Sequence, residues 1–247
     1  MPAAYGPRMS RKRAQPIRSL RFGVKRGRAM TVDIVPGPPL GPGVVTADLD
    51  TVLAALQQFD PDLSWKKARD RILPMLPRVR PYPGGSVDLV RAMVPPGILV
   101  SFGIHLGPAI TFVGPALLER WKVQPSDLSA AALSNVRRLA AGCHPSDLVR
   151  DQVADVPVAV LQSGLGIAST LILVPEAIEP LFGPGPHLLL APMRDVLLAL
   201  PPEVDREFAA WLATEWEALD PNCLHLGAFR YVRGTIAPEP LDEAARA

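Results

Sequence analysis

The stretch HLLLAPMRDVLLAL, residues 187–200, decides the fold. Leu188 to Ala191 and Val196 to Leu200 are apolar at every position, whereas a half-exposed strand alternates apolar with polar. Each run is too short for an ordinary helix and both are bounded by proline, so the pattern predicts two strands covered on both faces. Between them stand Pro192, Met193, Arg194 and Asp195, a cation beside an anion where two dry segments meet. No Gly or Asn favours a two-residue primed turn there. The junction is therefore predicted to be a longer or irregular hairpin tip, or a bulge within one long strand.

On either side of this ribbon the chain supplies what would cover it. Residues 157–161 predict a further strand, and ILVSFGIHL predicts a strand that turns at Gly107-Pro108 and returns over Ala109 to Val113, with His105 near its end. Residues 223–233 predict the last strand, and 235–247 a polar tail. Glu203 to Leu219 reads as an amphipathic surface helix. Asp127 to Ala141 reads as a helix capped by Ser126 and stopped by Gly142, and Asn135 falls on its apolar stripe with Leu128, Ala132 and Val136. A carboxamide on that stripe must be hydrogen-bonded, and tying down a loop carbonyl is its commonest use. Pro115 to Trp121 predicts a short helix, and Thr46 to Phe59 with Ser64 to Pro74 predicts a helical hairpin. From Gly164 to Phe182 periodicity leaves helix and strand both open.

The charge is segregated. The chain holds 26 Lys and Arg against 24 Asp and Glu; residues 1–30 hold nine of the basic residues and none of the acidic, leaving 17 against 24 over residues 31–247. Arg18, Arg21, Lys25, Arg26 and Arg28 occupy the place where an export signal would need its apolar stretch. The segment reads first as a disordered leader, or as a start upstream of a true one at Met30; nucleic-acid association is open only through residues 8–28. VPGPPLGPG, residues 35–43, reads as a linker, because proline removes amide donors and glycine raises the entropy cost of order. Cys143 and Cys223 suit a reducing, cytoplasmic setting. The uncharged stretches 92–118 and 156–175 reach bilayer length, but proline and glycine break both, so no membrane span is expected.

The second half resembles a bacterial family filed as domain of unknown function 1444, the YtpQ-like proteins. The resemblance covers roughly residues 64–233. It is carried by ALLERWKVQPSDLSAAALSNVRRL with Trp121 and Asn135, by IASTLILVPEAIEPLF with Ser169, Leu173 and Pro175, by LLLAPMRDVLLAL, and by CLHLGAFRY. Residues Ile104 to Pro108 lack the acid that the family pattern favours near a proline, and Thr170 stands where that pattern has an Arg after the serine. The resemblance implies no activity.

Among possible chemistries, Cys143-His144 with Cys223 and His225 lacks the familiar zinc spacings, so no metal is expected. Gly164 and Gly166 are followed by no Lys-Ser/Thr, which argues against a phosphate loop. Ser169 lies in no Gly-x-Ser-x-Gly elbow. Arg194 and Asp195 have two uses: Asp195 accepting turn amides, or Arg194 gripping an anion while Asp195 orients it.

The resulting expectation is an α+β fold: one mixed, mostly antiparallel sheet from residues 98–113, 157–161, 187–200 and 223–233, covered by helices and preceded by the helical hairpin. Residues 1–43 form leader and linker, 44–234 a single globular domain, and 235–247 the tail. Function is expected to be non-catalytic binding of a protein or an anionic small molecule, with Arg194, Asp195, Asn135 and Ser169 near the recognition surface and no cofactor. The alternative is an enzyme acting on an anionic small molecule at the same place.

Overall fold

The computed structural model describes residues 59–60, 62–77, 88–106, 109–163, 166–220 and 223–241, Ala54 and Gln57, and the backbone of 17–25 and 29–36. In chain order these form β1 (Ile17–Lys25), β2 (Ala29–Pro36), α1 (Trp65–Ala68), β3 (Ile72–Met75), β4 (Arg91–Val94), β5 (Ile98–His105), β6 (Ile110–Phe112), α2 (Pro115–Trp121), α3 (Pro125–Ala140), β7 (Leu148–Val153), β8 (Val156–Leu161), α4 (Ile178–Phe182), β9 (His187–Met193), β10 (Val196–Leu200), α5 (Arg206–Glu217), β11 (Ala228–Val232) and β12 (Thr235–Glu239). Helices and antiparallel sheets together make the α+β class.

Among the described residues the single expected sheet is instead two, besides the β1–β2 ribbon, and every described pairing is antiparallel. A six-stranded sheet runs β12-β11-β9-β10-β8-β7, with the leucine-dense pair β9 and β10 at its centre. Residues 98–113 belong to a second sheet, in which β5 lies between β3 on one side and β4 and β6 on the other. The predicted polar tail begins with a strand, because Arg233 (φ 46°) and Gly234 (φ 79°) make a tight left-handed turn that returns the chain along β11 as β12.

Burial explains the unbroken apolar runs. On β9 and β10, Leu189, Ala191, Leu197 and Ala199 face the main core, where they join Ile172, Leu161, Phe229 and Tyr231. Leu188, Leu190, Val196, Leu198 and Leu200 face the opposite way, onto Ala209, Ala210, Leu212 and Ala213 of α5. Alternation is absent because both faces are dry. Pro192 is tolerated in β9 because Ala191 and Pro192 together stand opposite Leu197, a bulge in which a missing amide breaks no ladder bond.

The helices differ from expectation mainly at their ends. α3 starts at Pro125, because Gln124 N–H donates to the Asp127 carboxylate at 2.8 Å while the Gln124 side chain accepts in return, so Gln124 rather than Ser126 is the cap. α5 starts one residue after Asp205, whose carboxylate accepts the amides of Glu207 and Phe208. α2 spans the predicted residues. The helix predicted over residues 64–74 stops at Ala68; after a 3-10 turn, Ile72 to Met75 pair with Ile104 to Ser101 as β3, every residue of the strand buried. Core packing has overridden local helical spacing there. The first helix of the predicted hairpin lies outside the described residues, apart from Ala54 and Gln57. Residues 17–25 and 29–36, expected to lack regular structure, pair as an antiparallel ribbon.

Truncating Leu198 to Ala in the middle of the doubly buried ribbon is expected to cost about 2–5 kcal/mol, read from the shift of the urea unfolding midpoint. Truncating Met93, 65% exposed on β4, is expected to leave that midpoint nearly unchanged.

Candidate functional site

The β9–β10 hairpin turns at Arg194 and Asp195 alone, with Met193 opposite Val196, so the connection is shorter than predicted. Neither turn residue has a positive φ, unlike Ala154 (φ 48°) and Asp155 (φ 65°) between β7 and β8. A two-residue turn without left-handed residues tends to splay its strands. Here it is held from outside.

The clasp is formed by Ser163 and residues 166–169. One carboxylate oxygen of Asp195 accepts the Ser163 hydroxyl and the backbone amides of Gly166 at 3.0 Å and Ile167 at 3.2 Å, and Ala168 N lies at 3.5 Å. Gly166 takes φ +70°, which turns these successive amides toward one point. In the other direction, Arg194 Nε donates to Gly166 O at 3.2 Å, and its carbonyl accepts the Ser169 hydroxyl at 2.6 Å and the Ser169 amide at 3.2 Å. The Ser169 side chain is fully buried. Three of the four predicted residues, Arg194, Asp195 and Ser169, therefore meet in one network.

Asn135 does not join them. It is 6% exposed, and its amide nitrogen donates to Arg69 O at 2.7 Å and Ile72 O at 2.9 Å, while its oxygen accepts Arg138 at 3.3 Å. It fixes the turn from α1 into β3 against α3, the structural use of a core carboxamide. An open cleft of about 380 Å³ lies above it, lined by Trp65, Arg69, Asp70, Asp127 and Ser134.

Two residues outside the predicted set come into electrostatic range of the turn. Burial, and then the positive charge of Arg194, hold the His105 imidazole below its ordinary value of 6.5. Burial, followed by the negative charges of Asp147 and Asp195, pushes the Cys143 thiol up, which makes it a poor nucleophile. Sequence reasoning missed Ser163 and underrated His105. The sequence argues against an anion-binding reading of Gly164 and Gly166, yet the amides of Gly166 and Ile167 do meet an anion, the chain's own Asp195. Among the described residues no group of His, Cys, Asp or Glu is arranged to hold a metal, and no helix is long and apolar enough to cross a membrane. Of the arm at residues 8–28, only the backbone of 17–25 is described.

Replacing Asp195 by Ala removes the carboxylate that the amides of residues 166–168 and the Ser163 hydroxyl share and is expected to destabilise the chain by about 2–3 kcal/mol in urea unfolding; Arg194→Ala is expected to cost less. Because the folded value of His105 lies below 6.5, the unfolded chain takes up its proton first. Its contribution to stability is thus complete above pH 6.5 and falls away as the pH drops through the window below that value. Unfolding followed across that window should show a shallower slope for His105→Gln than for the wild type. Comparison with protein-family models, with curated proteins and with solved structures finds no match for the chain.

Proposed function

We propose that this is a cytoplasmic, non-catalytic binding or interaction protein of the YtpQ-like kind. One observation carries the reading: the polar groups best suited to chemistry are engaged with one another and with backbone. The Asp195 carboxylate is taken by the 166–168 amides, the Ser169 hydroxyl by a carbonyl and the Asn135 amide by two. A catalytic group must instead reach a reacting atom.

Exposure favours a protein over an anionic small molecule as the partner. Met93 and Leu99, 65% and 45% exposed, stand directly opposite each other on β4 and β5, where apolar surface is open to contact. At the Arg194–Asp195 turn the amides that would otherwise suit an anion are already occupied.

The enzyme reading keeps one supporting observation, the imidazole of His105 lowered from its ordinary value by burial and then by the charge of Arg194. Titration of the full chain with inorganic phosphate and with succinate, followed by amide NMR shifts, separates the two. The binding-protein reading expects no saturable change at residues 163–169. Saturable shifts there that disappear in Arg194→Ala would overturn it in favour of an anion site.

A further inference from the structure

α5 buries one face and leaves the other without a partner. Ala209, Ala210, Leu212 and Ala213 pack against β9 and β10, whereas Glu207, Trp211, Glu215 and Leu219 stand exposed. These four follow one another at intervals of four residues, the spacing that stacks side chains on one face of a helix. The turn runs on past Glu217, with Ala218 N donating to Thr214 O at 2.9 Å. Of the four tryptophans Trp211 is the exposed one, at 46%, and the Phe208 ring 5.6 Å away, itself packed on the core, supports it. The result is an indole with a carboxylate one turn away on each side.

These carboxylates have no cation of their own. Residues 203–220 hold six acids and one base, Arg206, which pairs with Glu239. Asp205 caps the helix and Glu217 pairs with His225, whereas among the described residues neither Glu207 nor Glu215 forms an ion pair. An indole between two carboxylates fits a guanidinium or ammonium group, which the ring attracts through its quadrupole and the carboxylates through their charge. Anionic partners are repelled, a second copy of this face would set acids against acids, and an uncharged apolar partner would strip the carboxylates of water. The chain itself carries a matching segment: Arg8, Arg11, Lys12 and Arg13 form a run with no acid before Asp33. Tethering gives such a segment an effective concentration on the order of millimolar. The tether is long enough. Even with residues 46–58 helical, as the sequence predicts, residues 37–58 span up to ~50 Å, against a radius of gyration of ~16 Å for a body of this size. We infer that the basic run Arg8 to Arg13 docks within the same molecule on the Glu207, Trp211 and Glu215 face of α5, with a guanidinium over the indole. The inference rests neither on the Arg194–Asp195 turn nor on what that turn binds.

The test is NMR of the indole N–H groups in the full chain, with the Trp211 signal assigned through Trp211→Phe. Raising the salt from about 20 mM to about 500 mM should move the Trp211 signal and leave those of Trp65, Trp121 and Trp216 in place. Arg8→Gln with Arg11→Gln, Lys12→Gln and Arg13→Gln should show the high-salt position already at low salt. A synthetic peptide of residues 7–16 added to that variant should restore the wild-type position saturably. Glu207→Gln with Glu215→Gln in the same background should weaken the peptide about tenfold. Glu119→Gln with Asp155→Asn, two exposed acids elsewhere, should leave its affinity unchanged. A Trp211 signal indifferent to salt, the same signal in the wild type and the quadruple variant, or equal weakening by both pairs of acid substitutions would overturn the inference. So would a wild-type shift that grows with protein concentration, which would put the basic run of another molecule on α5.

Discussion

Asp195 ties the middle of the six-stranded sheet to the loop that closes over its end. A carboxylate that accepts several backbone amides is among the stronger polar contacts available to a folded chain, because the acceptor is charged and the donors cost little entropy to arrange. Both partners need the contact. The Arg194–Asp195 turn lacks the left-handed residues that would make a two-residue hairpin stable by itself. The amides of Gly166, Ile167 and Ala168, at the start of a buried 3-10 segment, converge on this one carboxylate oxygen, and Ile167 N also reaches the Ser163 hydroxyl at 3.4 Å.

That contact also governs what the region can do. Leu188 to Ala191 and Val196 to Leu200 are buried on both sides, so little movement of the turn is possible without disturbing two cores at once. Arg194 lies against the backbone of Gly166, and Ser169 closes the network from below. A rigid polar network of this kind specifies one arrangement of strands and loop.

The ribbon was legible in the sequence because total burial leaves a simple mark, unbroken apolar runs with polar residues only at the tip. The meeting of Arg194, Asp195 and Ser169 was legible only as a neighbourhood. Its partners Gly166 and Ile167 contribute backbone amides, which no side-chain pattern reveals. Asn135 was correctly placed on an apolar stripe, but which carbonyls it would bind depended on Arg69 to Ile72 leaving a helix for a strand. That change is made by packing of Ile72 and Leu73 in the core, against local helical spacing. The division into two sheets was hidden for a related reason: strand pairing between distant segments has no local signature, and β3, β4 and β6 are short strands whose partner β5 is the only long one in their sheet.

The most direct measurement is native-state hydrogen exchange of the amides of Gly166, Ile167 and Ala168 in the wild type and in Asp195→Asn, which keeps the shape of the side chain but removes its charge. If the carboxylate holds the loop on the turn, these amides are protected in the wild type and exchange much faster in the variant, while the amides of Leu188 to Leu190 and Leu198 to Leu200 stay slow. Fast exchange at residues 166–168 in the wild type, or equal protection in both proteins, would contradict the account.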